Sequence, residues 1–167
     1  MDLLVREARP EDAEAIVAIL NPIIEAGVHS AFDTPFTAEA ERQYIQQLPT
    51  RALFHVAVRR PQGETVGFQS MEPFATYTHA FDHVGVLGTY VAQSCRRQGV
   101  ARRLFASTFE AARGKGYEKI LTYVRADNPA ALATYLGQGF RIVGTAQKQA
   151  KVRGRYVDEI IVERLLS

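Results

Sequence analysis

Residues 84–101 constrain the fold more than any other stretch, because a strand, a loop and a helix follow one another there without interruption. Val84–Val91 is an apolar run rich in β-branched residues, which predicts a buried strand. A short basic loop containing Gly99 follows it. Val100 and Leu104 then begin an apolar repeat at helical spacing. The stretch therefore predicts a strand whose loop leads directly into the first turn of a helix.

The loop between this strand and this helix has the features of an anion site. The first turn of a helix carries backbone N–H groups without intrahelical acceptors, and the helix dipole favours negative charge there. Gly99 and Ala101 are small enough to let a phosphate approach. Arg96, Arg97 and Arg102 raise the local positive potential. These residues alone fit two interpretations equally well: a phosphate-bearing ligand bound mainly by backbone, or an ordinary loop beside a basic, solvated helix face.

The remaining periodicities place strands and helices in the order β-α-α-β-β-β-α-β-α-β-β. The helix after Val84–Val91 is followed by a strand at Lys119–Val124, and such a crossover predicts two parallel, neighbouring strands. Two final strands, Phe140–Gln147 and Tyr156–Leu165, are predicted to pair antiparallel. We therefore expect an α+β fold on one mixed sheet, with a single domain over residues 1–167.

The first long helix contains a proline. Leu20 and Ile24 belong to its apolar face, and Gly27 ends it. Because Pro22 lies inside this pattern, we expect the helix to kink or to split near Asn21.

Composition argues against several classes of protein. The 20 Lys and Arg residues exceed the 18 Asp and Glu residues by only 2, so the net charge gives no reason to expect nucleic-acid binding. The sequence shows neither an apolar run of membrane-spanning length nor a signal peptide. Cys95 is the only cysteine, which fits a reducing compartment. The four histidines lack the spacing of metal ligands. We expect a cytoplasmic protein with no metal and no membrane partner.

A second motif lies about thirty residues further along. Asn128 is placed to cap a helix, and Pro129 is placed at the first helical position. Tyr135 follows Asn128 by nearly two helical turns, so both side chains project from one face. Taken alone, such residues are usually a cap and a packing group, but they could also face a ligand.

The two motifs together resemble those of the GNAT acetyltransferase superfamily. The loop Arg96-x-x-Gly99-x-Ala101 is similar to the family's pyrophosphate-binding loop, and Asn128 followed by Tyr135 and Gly139-Phe140 is similar to its second motif. The first helices and the final strand resemble the phosphinothricin-acetyltransferase-like branch of that superfamily.

The resemblance implies a GNAT-like fold, with a central mixed and mostly antiparallel sheet, one splayed parallel strand pair and helices on both faces. It implies acetyl-CoA as co-substrate in the gap between the splayed strands. The Val91 backbone, Asn128 and Tyr135 are the implied catalytic groups, with Tyr135 as proton donor to the leaving sulfur. The implied acetyl-CoA contacts are Val91, Arg96, Arg97, Gln98, Gly99, Val100, Ala101, Arg102, Asn128 and Tyr135.

The implied reaction is N-acetylation of a primary amine on a small, amino-acid-like molecule, by direct attack in a ternary complex. A protein or peptide amine is the nearer alternative acceptor, and a non-catalytic acyl-CoA sensor is the alternative from another class. Relatives are often dimers, so a homodimer is possible.

The acceptor side departs from the family pattern. Many relatives carry a glutamate general base where this chain has Val86, so Glu72, His79 or His83 would have to deprotonate the amine directly or through water. Aromatic residues at Phe32, Phe74 and Tyr77 either line the acceptor pocket or anchor loops to the core.

Overall fold

The computed structural model describes residues 1–167, and seven strands and four helices follow the order expected from the sequence. The strands are β1 (Leu3–Glu7), β2 (Leu53–Arg59), β3 (Glu64–Pro73), β4 (Val84–Val91), β5 (Lys119–Arg125), β6 (Arg141–Val152) and β7 (Arg155–Leu165). The helices are α1 (Ala13–Ala26), α2 (Ala38–Gln46), α3 (Val100–Gly114) and α4 (Pro129–Gly137).

All seven strands form one sheet in the order β1-β2-β3-β4-β5-β7-β6. Strands β4 and β5 are parallel, and every other neighbouring pair is antiparallel. Helix α1 packs its isoleucines against Phe54, Val56 and Phe68 on one face of the sheet. Helix α3 and Tyr135 of α4 pack against the other face. This arrangement confirms the expected mixed sheet with helices on both faces.

The parallel pair is joined over only part of its length. The pairing runs from Val84 opposite Lys119 to Val86 opposite Leu121 and then stops. Both strands nevertheless continue, β4 to Val91 and β5 to Arg125. The two strands therefore splay apart toward their carboxyl ends, as the resemblance implied, and leave a gap in the middle of the sheet.

Of the kink or split expected near Asn21, the split is wrong and the kink stays a prediction. Helix α1 is continuous through Pro22 and ends at Gly27, whose φ of 70° is left-handed. Asn21, beside the proline, has a tertiary role instead: its amide oxygen accepts the Phe36 N–H and its amide nitrogen donates to the Phe36 carbonyl, both at 2.9 Å. Burial of Ile23 and Ile24 beyond the proline holds the last turn on the core.

The last hairpin is longer than its sequence suggests. Strand β6 continues past Gln147 to Val152, because the register shifts between Ala146 and Ala150 around Lys148, whose φ is 53°. A bulge of this kind inserts residues without ending the strand, so a polar segment that looks like a loop still pairs with β7.

None of the four helices combines the length and the continuous apolar character needed to cross a bilayer.

Candidate active site

The gap between β4 and β5 opens into a cleft of about 550 Å³. Its walls come from the end of β4, the first turn of α3 and one face of α4. The predicted acetyl-CoA contacts that line it are Val91, Arg96, Arg97, Gly99, Val100, Ala101, Arg102, Asn128 and Tyr135. Gln98 does not line the cleft, because its side-chain amide turns back to donate to the Ser94 carbonyl at 3.1 Å. Folding therefore brings together two motifs that lie about thirty residues apart in the chain.

Strand β4 presents unpaired backbone to this cleft. The Ala92 N–H donates to the Val66 carbonyl at 2.9 Å, which shows that the even-numbered residues of β4 bond to β3. The backbone groups of Thr89 and Val91 alternate with these and so point toward β5. Strand β5 is no longer paired at that level, so these groups are free to bind a ligand.

The splay begins where a side chain replaces a backbone hydrogen bond. The Thr122 hydroxyl of β5 donates to the Leu87 carbonyl of β4 at 2.6 Å. Both residues are buried, so the carbonyl would otherwise lie without a donor in the core. Thr122 thus provides the donor for the Leu87 carbonyl, which lies just beyond the last paired residue of β4, Val86.

The start of α3 concentrates donors and positive charge at the mouth of the cleft. Gly99 has a φ of 82°, a conformation that favours glycine, and it caps the helix. No backbone N–H from Arg97 to Arg102 donates to an acceptor within the protein. Arg96, Arg97 and Arg102 form no ion pair with any carboxylate. Free N–H groups at a helix start, with unpaired arginines beside them, suit a phosphate group.

Helix α4 places the second motif on the opposite wall. The Asn128 side-chain oxygen accepts the Ala131 N–H at 3.2 Å and caps the helix, as predicted. Its amide nitrogen reaches the His29 carbonyl at a longer 3.4 Å. His29 lines the cleft, but its sequence position gave no signal for that. Burial and the nearby Arg96 lower the pKa of His29 and favour a neutral ring.

Tyr135 lies at the inner end of the cleft. Its side chain is 7% exposed and packs edge-on against the rings of Phe105 and Phe140. Its hydroxyl donates to the Thr89 Oγ1 at 3.1 Å. Burial raises the pKa of Tyr135, and the nearby Thr89 and Thr122 lower it. The phenol is therefore protonated at neutral pH and can act as a proton donor.

Comparison with known proteins identifies this arrangement. Residues 22–140 match the model of the acetyltransferase (GNAT) family. This chain belongs to the GNAT acetyltransferase family. It is 25% identical over 165 residues to YwnH of Bacillus subtilis strain 168, which is provisionally named a phosphinothricin acetyltransferase; the match covers 99% of this chain and 100% of YwnH.

Two solved structures show the same fold. A ribosomal-protein-alanine N-acetyltransferase from Brucella melitensis superposes with a TM-score of 0.87 at 29% identity, over 97% of this chain and 99% of the other. A phosphinothricin acetyltransferase from Sinorhizobium meliloti, solved in complex with acetyl-CoA, superposes with a TM-score of 0.89 at 18% identity, over 100% of this chain and 90% of the other. The fold and the family predicted from the sequence are both confirmed.

The other face of β4 in this acetyltransferase is lined by aromatic rings. The Tyr90 ring lies along the strand over Gly88, where a Cβ would approach it to 3.3 Å. Phe32 packs against Tyr90 with ring centroids 6.3 Å apart, and Phe68 stacks on it at 5.0 Å. Phe32 therefore lies beside the cleft wall, next to a ring that lines the cleft itself.

Glu72 lies on this same face, directly opposite Val86 across the β3–β4 pair. It is partly exposed. Burial raises the pKa of Tyr44, and the nearby negative charge of Glu72 raises it further. The chain thus places a carboxylate one strand away from the position where many relatives carry their glutamate.

The remaining predicted acceptor residues lie elsewhere. Phe74 and Tyr77 pack against Phe81 and hold the β3–β4 connection together. His83 precedes β4 and lines a separate hollow with Tyr117 and other residues at the paired end of the sheet. His79 is on that connection as well, beside Asp82. The structure does not bring these residues to the cleft that contains Val91.

Proposed function

We propose that this acetyltransferase transfers the acetyl group of acetyl-CoA to the primary amine of a small, amino-acid-like molecule, by direct attack in a ternary complex. One observation carries the proposal: a single cleft combines the unpaired backbone of β4, the free N–H groups at the start of α3 and the buried Tyr135 hydroxyl. The names of YwnH and of the Sinorhizobium meliloti protein support a small-molecule amine.

On the donor side, the N–H groups from Arg97 to Arg102 would hold the pyrophosphate, with arginine side chains at the rim. The backbone of Thr89 and Val91 would pair with the pantetheine arm as a neighbouring strand does. Asn128 contributes an amide nitrogen that has only one long hydrogen bond within the protein. Binding both substrates in one cleft would supply much of the rate through positioning.

The chemistry needs a base for the amine, a hydrogen-bond donor for the thioester oxygen and an acid for the leaving sulfur. An alkylammonium with a pKa of about 10.4 must lose a proton before it can attack. The Val91 N–H points into the gap and would donate to the thioester oxygen as that oxygen becomes negative. Tyr135 would give its proton to the departing sulfur, whose thiol has an unperturbed pKa of about 8.5.

We propose Glu72 as the group that accepts the amine proton, directly or through water. It is the carboxylate nearest in register to Val86, and it lies on the face of β4 where Phe32 and Tyr90 line an approach for the acceptor. His79 and His83 lie beyond the paired end of β4, far from Val91.

The experiment that tests the proposal is a steady-state assay of CoA release against a panel of small amines and amino acids, with calorimetric titration of acetyl-CoA beside it. The proposal expects saturable acetyl-CoA binding and acceptor-dependent CoA release with at least one small amine. Release only with peptides ending in a free amine would favour protein acetylation, which the similarity to the Brucella melitensis enzyme makes the second candidate. Tight binding without release from any acceptor would overturn catalysis in favour of a sensor.

A further inference from the structure

Thr89 connects the candidate acid to the interior of the sheet. Its hydroxyl oxygen is 3.1 Å from the Tyr135 hydroxyl and also accepts a hydrogen bond from the Gln69 Nε2 at 2.8 Å. Gln69 of β3 and Thr89 of β4 are directly opposite each other in the sheet, so both side chains project from the same face. The three side chains form a line from a central strand to the cleft, which Thr89 and Tyr135 both line.

Gln69 is an unusual residue for this position. It is 0% exposed, and its Oε1 is the one buried side-chain nitrogen or oxygen in the protein without a hydrogen-bond partner. Its other cross-strand neighbour, His55, directs Nδ1 to the Thr108 hydroxyl at 3.1 Å and not to the glutamine. A buried polar atom without a partner lowers the stability of the fold, and a leucine of similar size would avoid that cost. The Gln69 amide therefore lowers the stability of the fold relative to an apolar residue. Thr89 is its only side-chain partner.

The amide constrains the direction of the next hydrogen bond. A threonine hydroxyl has one hydrogen to donate and two lone pairs to accept. Because Gln69 Nε2 occupies one lone pair of Thr89, the hydroxyl hydrogen of Thr89 remains available for Tyr135. The tyrosine can then turn its own O–H away from Thr89 and toward a ligand in the cleft.

We infer that Gln69 is a positioning residue that, through Thr89, keeps a hydrogen bond on the Tyr135 oxygen while Tyr135 gives its proton to the leaving sulfur. This inference rests on the proposed function. The Tyr135 O–H bond breaks and an S–H bond forms as the carbon–sulfur bond breaks and its electron pair moves to sulfur. The Thr89 O–H remains intact and donates to the resulting phenolate. Water returns a proton to Tyr135, and the proton lost by the amine leaves to water through the base.

Removal of the hydrogen bonds from Gln69 to Thr89 and from Thr89 to Tyr135 should weaken Tyr135 as an acid. Burial already raises the pKa of Tyr135, and its hydrogen bond with Thr89 is among the interactions that lower it. The other groups around the phenol are the Thr89 backbone, which side-chain variants keep, Thr122 of β5, the rings of Phe105 and Phe140, and the titratable Tyr90 hydroxyl. None of them is a cation that could replace the donation from Thr89.

The test compares Gln69→Leu and Thr89→Val with wild type, using kcat, the KM for acetyl-CoA, the pH profile of kcat and the free energy of unfolding. We expect kcat to fall about tenfold or more in both variants, with little change in KM. Gln69→Leu should be at least as stable as wild type because it removes the unpaired oxygen. Thr89→Ser should recover most of the activity. Thr108→Val removes a buried hydroxyl of α3 that bonds His55 and not Tyr135, and it should leave the pH profile of kcat unchanged.

The loss should also depend on the leaving group, because a more acidic thiol needs less help from a proton donor. With an acetyl thioester of such a thiol, the difference in kcat between Gln69→Leu and wild type should become smaller. A Gln69→Leu enzyme that is stable and has wild-type kcat would overturn the inference, and so would a loss of kcat that matches a loss of stability. Failure of the proposed function looks different: wild type itself would then release no CoA with any amine. In that case the slow hydrolysis of acetyl-CoA by water provides the same comparison, and equal rates in all variants would overturn the inference.

Discussion

The two ends of the β4–β5 pair are built from the same kinds of strand but behave oppositely. At the paired end, the backbone groups of Val84–Val86 bond with those of Lys119–Leu121. At the open end, Thr89 and Val91 have backbone groups that no strand pairs with. The open end is also where α3 and α4 direct their motifs. The candidate binding site lies where the sheet leaves backbone hydrogen bonds unmade.

Two buried glutamates on β7 repeat this contrast. Glu163 and Glu159 are each 8% exposed and project from the same face. Glu163, beside the paired end, binds Lys119 at 3.1 Å and Arg141 at 2.8 Å. Glu159, beside the open end, has no ion pair, because its neighbour Arg125 is held by Asp127 and by two loop carbonyls. Glu163 at the paired end contacts two cations, whereas Glu159 near the cleft forms no ion pair and is offset only by the nearby charge of Arg125.

The largest expected effect comes from Tyr135→Phe. Loss of the proton donor should lower kcat about a hundredfold or more while acetyl-CoA affinity stays nearly constant. Tyr117→Phe is the matched control at the paired end, since this buried tyrosine donates to the Arg51 carbonyl at 3.0 Å and lies outside the cleft. Steady-state kinetics and calorimetry measure both. Equal activity of the two variants would remove Tyr135 from the chemistry.

A smaller effect, on acetyl-CoA affinity, is expected when the loop before α3 is altered. Gly99→Val should weaken acetyl-CoA binding about tenfold to a hundredfold, because a β-branched residue resists the φ of 82° and would crowd the pyrophosphate. Gly116, just beyond the other end of α3, has a φ of 85° and open space around it. Gly116→Val should therefore destabilise the fold to a similar extent without changing affinity. If calorimetry gave the same affinity for both variants, the proposed pyrophosphate site would be wrong.

The point where the strands separate can be tested through stability. Thr122→Val keeps the shape of the side chain but removes the hydroxyl that bonds the Leu87 carbonyl. We expect the free energy of unfolding to fall by about 1–2 kcal/mol, because a buried carbonyl loses its donor. Urea denaturation measures the change. An unchanged midpoint and slope would show that the carbonyl finds another partner and that Thr122 does not define the start of the gap.

The smallest effects should appear in the pH dependence of stability. Hydrogen bonds from Lys119 and Arg141 lower the pKa of Glu163, so its contribution to stability is present above the ordinary value of 4.5 and is lost as pH falls through the lowered pKa. Burial raises the pKa of Glu159, so its charged form opposes folding above that raised pKa and protonation relieves the penalty.

Glu163→Gln should therefore be less stable than wild type at neutral pH, and Glu159→Gln should be equally or more stable. Each variant's difference from wild type in the free energy of unfolding should become smaller as the pH falls. For Glu159→Gln this should begin at a higher pH than for Glu163→Gln. Urea denaturation from neutral pH to about pH 3.5 follows them. Loss of stability of similar size in both variants at neutral pH would mean that Glu159 has a compensating partner and that the contrast along β7 is false.

Much of the fold was predictable because local patterns dictate it. Alternation and apolar runs placed every strand and helix in the correct order, and Asn128 caps the helix it precedes. Two errors arose from tertiary effects. Helix α1 continues through Pro22 because the residues beyond it are buried, and β6 continues past Gln147 because a bulge keeps it paired with β7. The single domain, the cytoplasmic location and a homodimer remain predictions.

The site was predictable where motifs carry it and hidden where strand pairing decides it. Sequence alone determined the basic loop, Asn128 and Tyr135, because helix starts and residue spacing are local properties. It also showed that Val86 cannot act as a base. Only the tertiary structure placed Glu72 opposite Val86 and aligned Gln69 and Thr89 with Tyr135, since register across a sheet joins residues far apart in the chain. The splayed end of β4 is a tertiary property for the same reason: a backbone group is free only when no neighbouring strand reaches it.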